Sequence, residues 1–213
     1  MSNSLFTIML ISFLALSACQ PSNEKLPILG SREPVTKVVN GENVTDTIYH
    51  SIPDFNFLNQ DSLPITEKTF ENSIYVADFF FTSCPSICPI MHRNLLNVYK
   101  KYKDNPEVMF LSHSIDTKYD TPSVLKSYAE KLGISSNQWQ FASGTKETIY
   151  GISPAYMVFT EENDQAAGGF EHQGWFILVD KDKHIRGAYN GTDEKEVDKL
   201  MKDMDILLSE YEK

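Results

Sequence analysis

The twelve residues from Asp78 to Pro89, Asp-Phe-Phe-Phe-Thr-Ser-Cys-Pro-Ser-Ile-Cys-Pro, constrain this chain more than any other stretch. The apolar run Ile74 to Phe81 reads as a buried strand. The segment Pro85 to Tyr102, with Ile87, Met91, Leu95, Val98 and Tyr102 at helical spacing, reads as a helix packed back onto it. Pro85 suits a first helical position, which puts Cys84 near the N-cap and Cys88 one turn inside. Both thiols then meet the positive end of the helix dipole, which favours thiolate. A C-x-x-x-C pair in helical geometry keeps both sulfurs on one side, able to close a disulfide or to hold a metal ion from two corners. The blander alternative is a pair of small core residues or an inert disulfide. Their place at a strand-to-helix joint, bracketed by Pro85 and Pro89, argues against it.

Residues 1–19 read as a targeting segment rather than as fold. Leu5 to Ala18 is apolar but shorter than the ~20 residues a spanning helix needs. It ends in Leu16-Ser17-Ala18-Cys19, which resembles the lipobox of bacterial lipoproteins and so implies a lipid on Cys19 as the mature N-terminus. A single-span anchor is the alternative; in both cases the domain is exported and held at a bacterial membrane, facing the periplasm or the cell exterior. The chain has 3 cysteines. With Cys19 lipidated, the exported domain keeps only Cys84 and Cys88, which is no disulfide scaffold, so the pair is there for chemistry.

Residues 20–34 are polar and proline-containing and read as a flexible tether. Residues 35–213 read as one domain with a sizeable core. The 29 acidic against 19 basic residues, a formal charge of -10, argue against nucleic acid or anionic lipid as partners. Val35 to Val39 and Val44 to Tyr49 flank Asn40-Gly41 as an N-terminal hairpin; Ile52 to Phe57 and Leu63 to Phe70 suggest a second one. Further on, strands are expected at Val108 to Ile115, Trp139 to Ala142, Tyr156 to Phe159, Trp175 to Val179 and Ile185 to Tyr189. Helices are expected at Pro122 to Leu132, Lys146 to Tyr150 and Asp193 to Tyr211, the last with a stripe from Val197 through Met201 and Met204 to Tyr211. The alternation indicates an α/β fold, a mixed sheet with helices on both faces, and cysteines opening the first main helix make it look thioredoxin-like.

Phe80 to Pro89, then Ser114-Ile115-Asp116 with Asp120-Thr121-Pro122 and Leu125-Lys126 before Tyr128-Ala129, then Glu171-His172 leading into Phe176 to Asp180, follow in order and spacing the pattern of SCO/SenC proteins. These are the copper-handling proteins of cytochrome c oxidase assembly, and the resemblance runs from about Ile52 to Leu207. It implies a membrane-anchored thioredoxin-like domain binding one copper ion through Cys84, Cys88 and His172. Thiolates suit Cu(I) and imidazole suits either oxidation state. It also implies an acidic residue near the metal at Asp116, although Thr117 stands where the family pattern has proline. The implied role is delivery of copper to cytochrome c oxidase subunit II, with a copper donor or a thioredoxin-like reductant as a second partner. The alternative is a thiol-disulfide reductase with Cys84 attacking and Cys88 resolving. A peroxidase and a purely structural lipoprotein rank behind both.

The other candidates read more plainly. His172, in the Gly-rich stretch 168–174, is expected on a flexible loop. Asp78 is expected as an edge-of-core carboxylate satisfied by backbone donors. His113 is expected in the core, His92 on the helix surface, and His50 and His184 in solvent. Met91 is expected in the core, with no methionine-rich copper cluster.

Overall fold

The computed structural model describes residues 25–135 and 137–212. The chain runs β1 (Arg32–Val39), β2 (Glu42–Tyr49), β3 (Asn56–Leu58), β4 (Pro64–Thr66), β5 (Ile74–Phe80), α1 (Cys88–Tyr102), β6 (Val108–Ser114), α2 (Pro122–Lys131) and β7 (Trp139–Ala142). It continues through α3 (Lys146–Ile152), β8 (Thr160–Glu162), β9 (Phe170–His172), β10 (Trp175–Val179), β11 (Ile185–Asn190) and α4 (Glu194–Ser209). Five strands form the central sheet in the order β11-β10-β5-β6-β7. The β5–β6 and β6–β7 pairs are parallel, as crossovers through α1 and α2 allow, while β10 runs antiparallel to both β5 and β11. This is the mixed, thioredoxin-like sheet expected from the alternation of elements.

β5 is the central strand, and all seven of its residues are buried. Side chains alternate across a strand, so Ile74, Val76, Asp78 and Phe80 share one face and Tyr75, Ala77 and Phe79 the other. Over the first face lie α1 and α2, marked by Phe80 against His92 and Tyr128. α4 joins them, its Met201 carbonyl accepting the Tyr102 hydroxyl of α1 at 2.7 Å. The second face is covered by thinner structure. Phe57 of β3 and Phe79 enclose His113, and Tyr156 closes over Phe79. Burial of a phenylalanine such as Phe79, Phe80 or Phe110, each fully enclosed, contributes about 2 kcal/mol.

Four expectations change. α1 begins at Cys88, not at Pro85, and Pro89 rather than Pro85 occupies its first turn, where a missing N–H costs nothing. The strand expected at Tyr156 to Phe159 is instead a 3-10 turn, Ser153–Tyr156, closed by Met157 at φ 57°. Tyr156 is apolar-facing because it caps the second face, not because it lies in a strand; β8 starts at Thr160. Within the segment read as a tether, residues 26–29 are fastened to the domain by Arg186 and Glu210, and β1 starts at Arg32. His92 is buried on α1 rather than on its surface.

Candidate metal centre

β5 delivers the chain to the site at its C-terminal end. Its last carbonyl, Phe80 O, accepts Ile115 N–H at 2.8 Å, so strand pairing holds the takeoff point. Residues 81–87 then bridge to α1 without helical pairing, and Cys84 N–H donates to Phe81 O at 3.2 Å. A buried carboxylate pins this loop. Asp120 accepts Thr82 N–H at 2.9 Å on Oδ2, Thr82 Oγ1–H at 2.5 Å on Oδ1, and Ser114 Oγ–H at 2.6 Å on Oδ2. Asp120 lies within the Asp-Thr-Pro motif, where its one sequence signal is a short polar side chain just before Thr121 and Pro122.

A second arm brings the histidine. β8 and β9 form a small antiparallel hairpin, with Thr160 opposite His172 and Glu162 opposite Phe170. His172 is therefore the end residue of a paired strand, not part of a flexible loop. Phe170 and His172 both pack on Phe81, with ring centroids 4.9 and 5.8 Å away. Gly168 lets the hairpin come this close: its φ is +81°, and a Cβ there would sit 2.7 Å from the Phe81 ring.

Cys84, Cys88 and His172 meet between these arms, their donor atoms all within 4.8 Å of one another. Both cysteines are buried and free, Cys84 at 7% exposure and Cys88 at 1%. His172 Nε2 lies 3.4 Å from the Cys88 sulfur. Its Nδ1 is buried with no hydrogen-bond partner, so the ring is held by packing. Cys88 opens α1 beside an N-terminus that has no side-chain cap, which leaves amide dipoles to favour negative sulfur.

The two thiols are driven apart in acidity. A hydrogen bond from Cys88, helped by His172 and by backbone N–H groups of Ser86 and Cys88 and opposed by burial, holds Cys84 down at about 3. Its bond to Cys84, with burial behind it and the charges of Cys84 and Asp78 adding, pushes Cys88 far up. The pair thus releases one proton readily and holds the second. A cation placed between the sulfurs would displace that second proton.

Asp116, expected near the metal, accepts Tyr119 N–H at 3.0 Å within its own loop, and burial raises its pKa. Among the described contacts it touches neither cysteine nor His172. Asp78 is fully buried, and its donors are side chains rather than backbone: Ser112 Oγ at 2.5 Å and His92 Nε2 at 2.9 Å. His92 Nδ1 meets the Tyr128 hydroxyl at 2.8 Å, and the Trp139 indole donates to Ser112 Oγ at 2.9 Å. His113 is in the core as expected, with Nδ1 3.2 Å from Asp78 O and Nε2 unpartnered. His50 is not simply solvated, since its Nε2 lies 2.7 Å from Ala155 O. His184 is partly covered and stands 3.6 Å from Asp180. With Asp182 these two make a second acidic grouping, but Asp180 is taken up by Arg186 and by the N–H groups of Asp182 and His184. Met91 and Met204 are buried. Cys19 lies outside the described residues.

The SCO1/SenC family model matches residues 45–208. A SCO1/SenC family lipoprotein from Bacillus anthracis is 28% identical, covers 74% of this chain and 95% of its own, and superposes with a TM-score of 0.68. BsSco, described as a member of the Sco family of cytochrome c oxidase assembly proteins and as containing a disulfide switch, is 28% identical over 75% of this chain and 94% of its own, with a TM-score of 0.66. The fold is also that of Arabidopsis thaliana ScoI, solved with copper bound, at 21% identity, a TM-score of 0.61, and coverage of 72% of this chain and 97% of that one. With the match spanning both arms of the cysteine–histidine site, this chain belongs to the SCO1/SenC family.

Proposed function

We propose that this protein binds one copper ion through Cys84, Cys88 and His172 and delivers it to the copper centre of cytochrome c oxidase subunit II. The observation that carries the reading is the donor set: two soft sulfurs and an imidazole nitrogen within 4.8 Å of one another, at the end of a rigid central strand. Thiolates and imidazole select Cu(I) over harder divalent ions, and three protein donors leave a side open for transfer to a receiving site. One thiol already favours its thiolate, which eases the loss of protons that loading requires. Copper bound to an Arabidopsis relative of the same fold, and the assembly role given for BsSco, are consistent with this cargo and recipient.

The domain is exported and tethered to a bacterial membrane through lipid on Cys19, a reading supported by the Leu-Ser-Ala-Cys stretch and by the lipoprotein from Bacillus anthracis. No helix among the described residues is long and apolar enough to cross a membrane.

The divergent acidities of Cys84 and Cys88 favour one further reading, a thiol-disulfide reductase in which the Cys84 thiolate attacks and Cys88 resolves. The test is transfer: copper-loaded protein is mixed with the reduced, metal-free soluble domain of subunit II, and the absorption of the assembled copper centre is followed. Delivery predicts its growth from the loaded protein and none from His172→Ala. If reduced subunit II instead takes up free copper without this protein, and the protein is needed only when subunit II is supplied oxidised, through Cys84 but not His172, the reductase reading stands.

A further inference from the structure

We propose that the end of the sheet opposite the cysteines is a lipid-facing surface, contacted through the β1–β2 hairpin, so that the metal site is directed away from the bilayer. The inference rests on the reading of Cys19 as a lipid anchor.

The first observation is a clamp. Arg186, 7% exposed, donates Nη2–H to Leu26 O at 2.6 Å and Nε–H to Pro27 O at 3.2 Å. The same guanidinium pairs with Glu210 at 2.9 Å and Asp180 at 3.1 Å, while Glu210 also accepts Leu26 N–H at 2.9 Å. Three residues on, Leu29 N–H donates to Ile185 O at 2.8 Å, along the open edge of β11. A buried fork of donors satisfied by two carbonyls and two carboxylates is a fixed mount, not a passing contact.

The second is where this mount sits. Val179 pairs with Tyr75 on one side and with Ile185 on the other, so Ile185 is level with the start of β5. The cysteines follow its far end. Five residue steps separate Tyr75 from Phe80, about 17 Å of strand. The hairpin is rooted at the mount's end as well: His50 N–H donates to Ser31 O, Ile52 N–H to Lys183 O, and Tyr49 packs on His184.

The third is the hairpin's surface. Both of its faces are exposed along nearly all of its length. Around the Asn40-Gly41 turn it presents Val38 at 71%, Val39 at 50% and Val44 at 46% exposure, with Ile48 further back at 52%. Residues 32–49 carry Arg32 and Lys37 against Glu33, Glu42 and Asp46, a nearly balanced set. The contact it fits is therefore apolar and shallow, independent of anionic headgroups.

Chain length selects a bilayer as the occupant. Seven peptide steps join Cys19 to Leu26, at most about 25 Å when fully extended. An eight-residue strand is about 27 Å long. A lipid on Cys19 thus keeps the clamp within one hairpin length of the membrane surface, and the exposed valines come within its reach.

The test uses the full chain in phosphatidylcholine vesicles whose acyl chains carry bromine near the headgroups. Trp175 is a natural reporter at the metal end, 37% exposed and opposite Asn190, the last residue of β11. Val38→Trp in a Trp175→Phe background reports the hairpin, with the emission of the fully buried Trp139, common to both chains, subtracted by means of a Trp175→Phe chain. Vesicle-bound protein is expected to show about twofold quenching at residue 38 and none at Trp175. Quenching of Trp175, or none at residue 38, overturns the proposal. Because tryptophan itself favours interfaces, amide exchange in the unaltered chain is the second readout. Amides of residues 37–44 should exchange about threefold more slowly on vesicles than in a Cys19→Ser chain free in solution; equal rates also overturn it. Flotation separates the two readings. A chain that floats with vesicles in a Cys19-dependent manner but shows neither effect keeps the anchor and loses the surface. A chain that never floats loses both.

Discussion

Removing the Asp120 carboxylate should loosen the cysteine loop without touching a single donor atom. Asp120 is 2% exposed and accepts from Thr82 N–H, Thr82 Oγ1–H and Ser114 Oγ–H. In Asp120→Ala the backbone N–H of Thr82 loses its acceptor in a buried setting, at about 1–3 kcal/mol, while the two hydroxyls can turn towards other acceptors at less cost. The expected total is about 3 kcal/mol. Asp120→Asn keeps one oxygen for Thr82 N–H and Ser114, and Thr82 Oγ1 can turn to accept from the new amide, so about 1 kcal/mol is expected. Thr82 stands two residues before Cys84, so copper affinity should fall as well, by about tenfold in the alanine variant, as for other losses of groups that support metal ligands. Urea unfolding of the metal-free chain and Cu(I) competition against a chromophoric chelator measure the two effects. If Asp120→Ala loses less than about 1 kcal/mol and binds Cu(I) as the parent does, Asp120 does not hold this loop.

Gly168→Ala should cost about 1–2 kcal/mol from its left-handed backbone alone, and the Cβ would collide with Phe81 and push β9 outward. Copper affinity should drop more than urea stability; the reverse order would contradict the role given to this close approach. Iodoacetamide should modify Cys84 before Cys88, with a rate nearly flat from roughly pH 7 to 5, because Cys84 is held at about 3. A tenfold fall per pH unit, read by mass spectrometry, would refute this. Burial pushes His113 from 6.5 down to about 4, so the unfolded chain takes up its proton first and the folded chain resists. Stability from this group is complete above about pH 6.5 and is lost as pH falls towards 4, by about 3 kcal/mol. Unfolding midpoints across that range should slope more steeply in the parent than in His113→Phe. Parallel slopes would count against the buried neutral ring.

Much of the fold was legible because the strongest local patterns coincide with buried elements. Ile74 to Phe80 could hardly be anything but a central strand, and α2 and α4 carry one apolar face each. The cysteine pair stood out by type and spacing. What escaped depended on contacts distant in sequence. Phe170 to His172 reads as loop because of the glycines that flank it, and only pairing with Thr160–Glu162 makes it a strand. His92 looks like a surface residue until the face of β5 that carries Asp78 is seen to meet α1; a carboxylate in that strand needs a donor, and the histidine supplies it. The start of α1 is ambiguous in the sequence for a local reason: two prolines, Pro85 and Pro89, both fit a helix start, and the structure uses Pro89.

The most direct test of the central claim is Cu(I) titration of the reduced chain against a competing chelator, beside Cys84→Ser, Cys88→Ser and His172→Ala. One tight equivalent is expected for the parent, with affinity lost in both serine variants and clearly weakened in His172→Ala. Tight binding that survives His172→Ala unchanged, or no tight binding by the parent, would contradict the assignment of this site as a copper carrier.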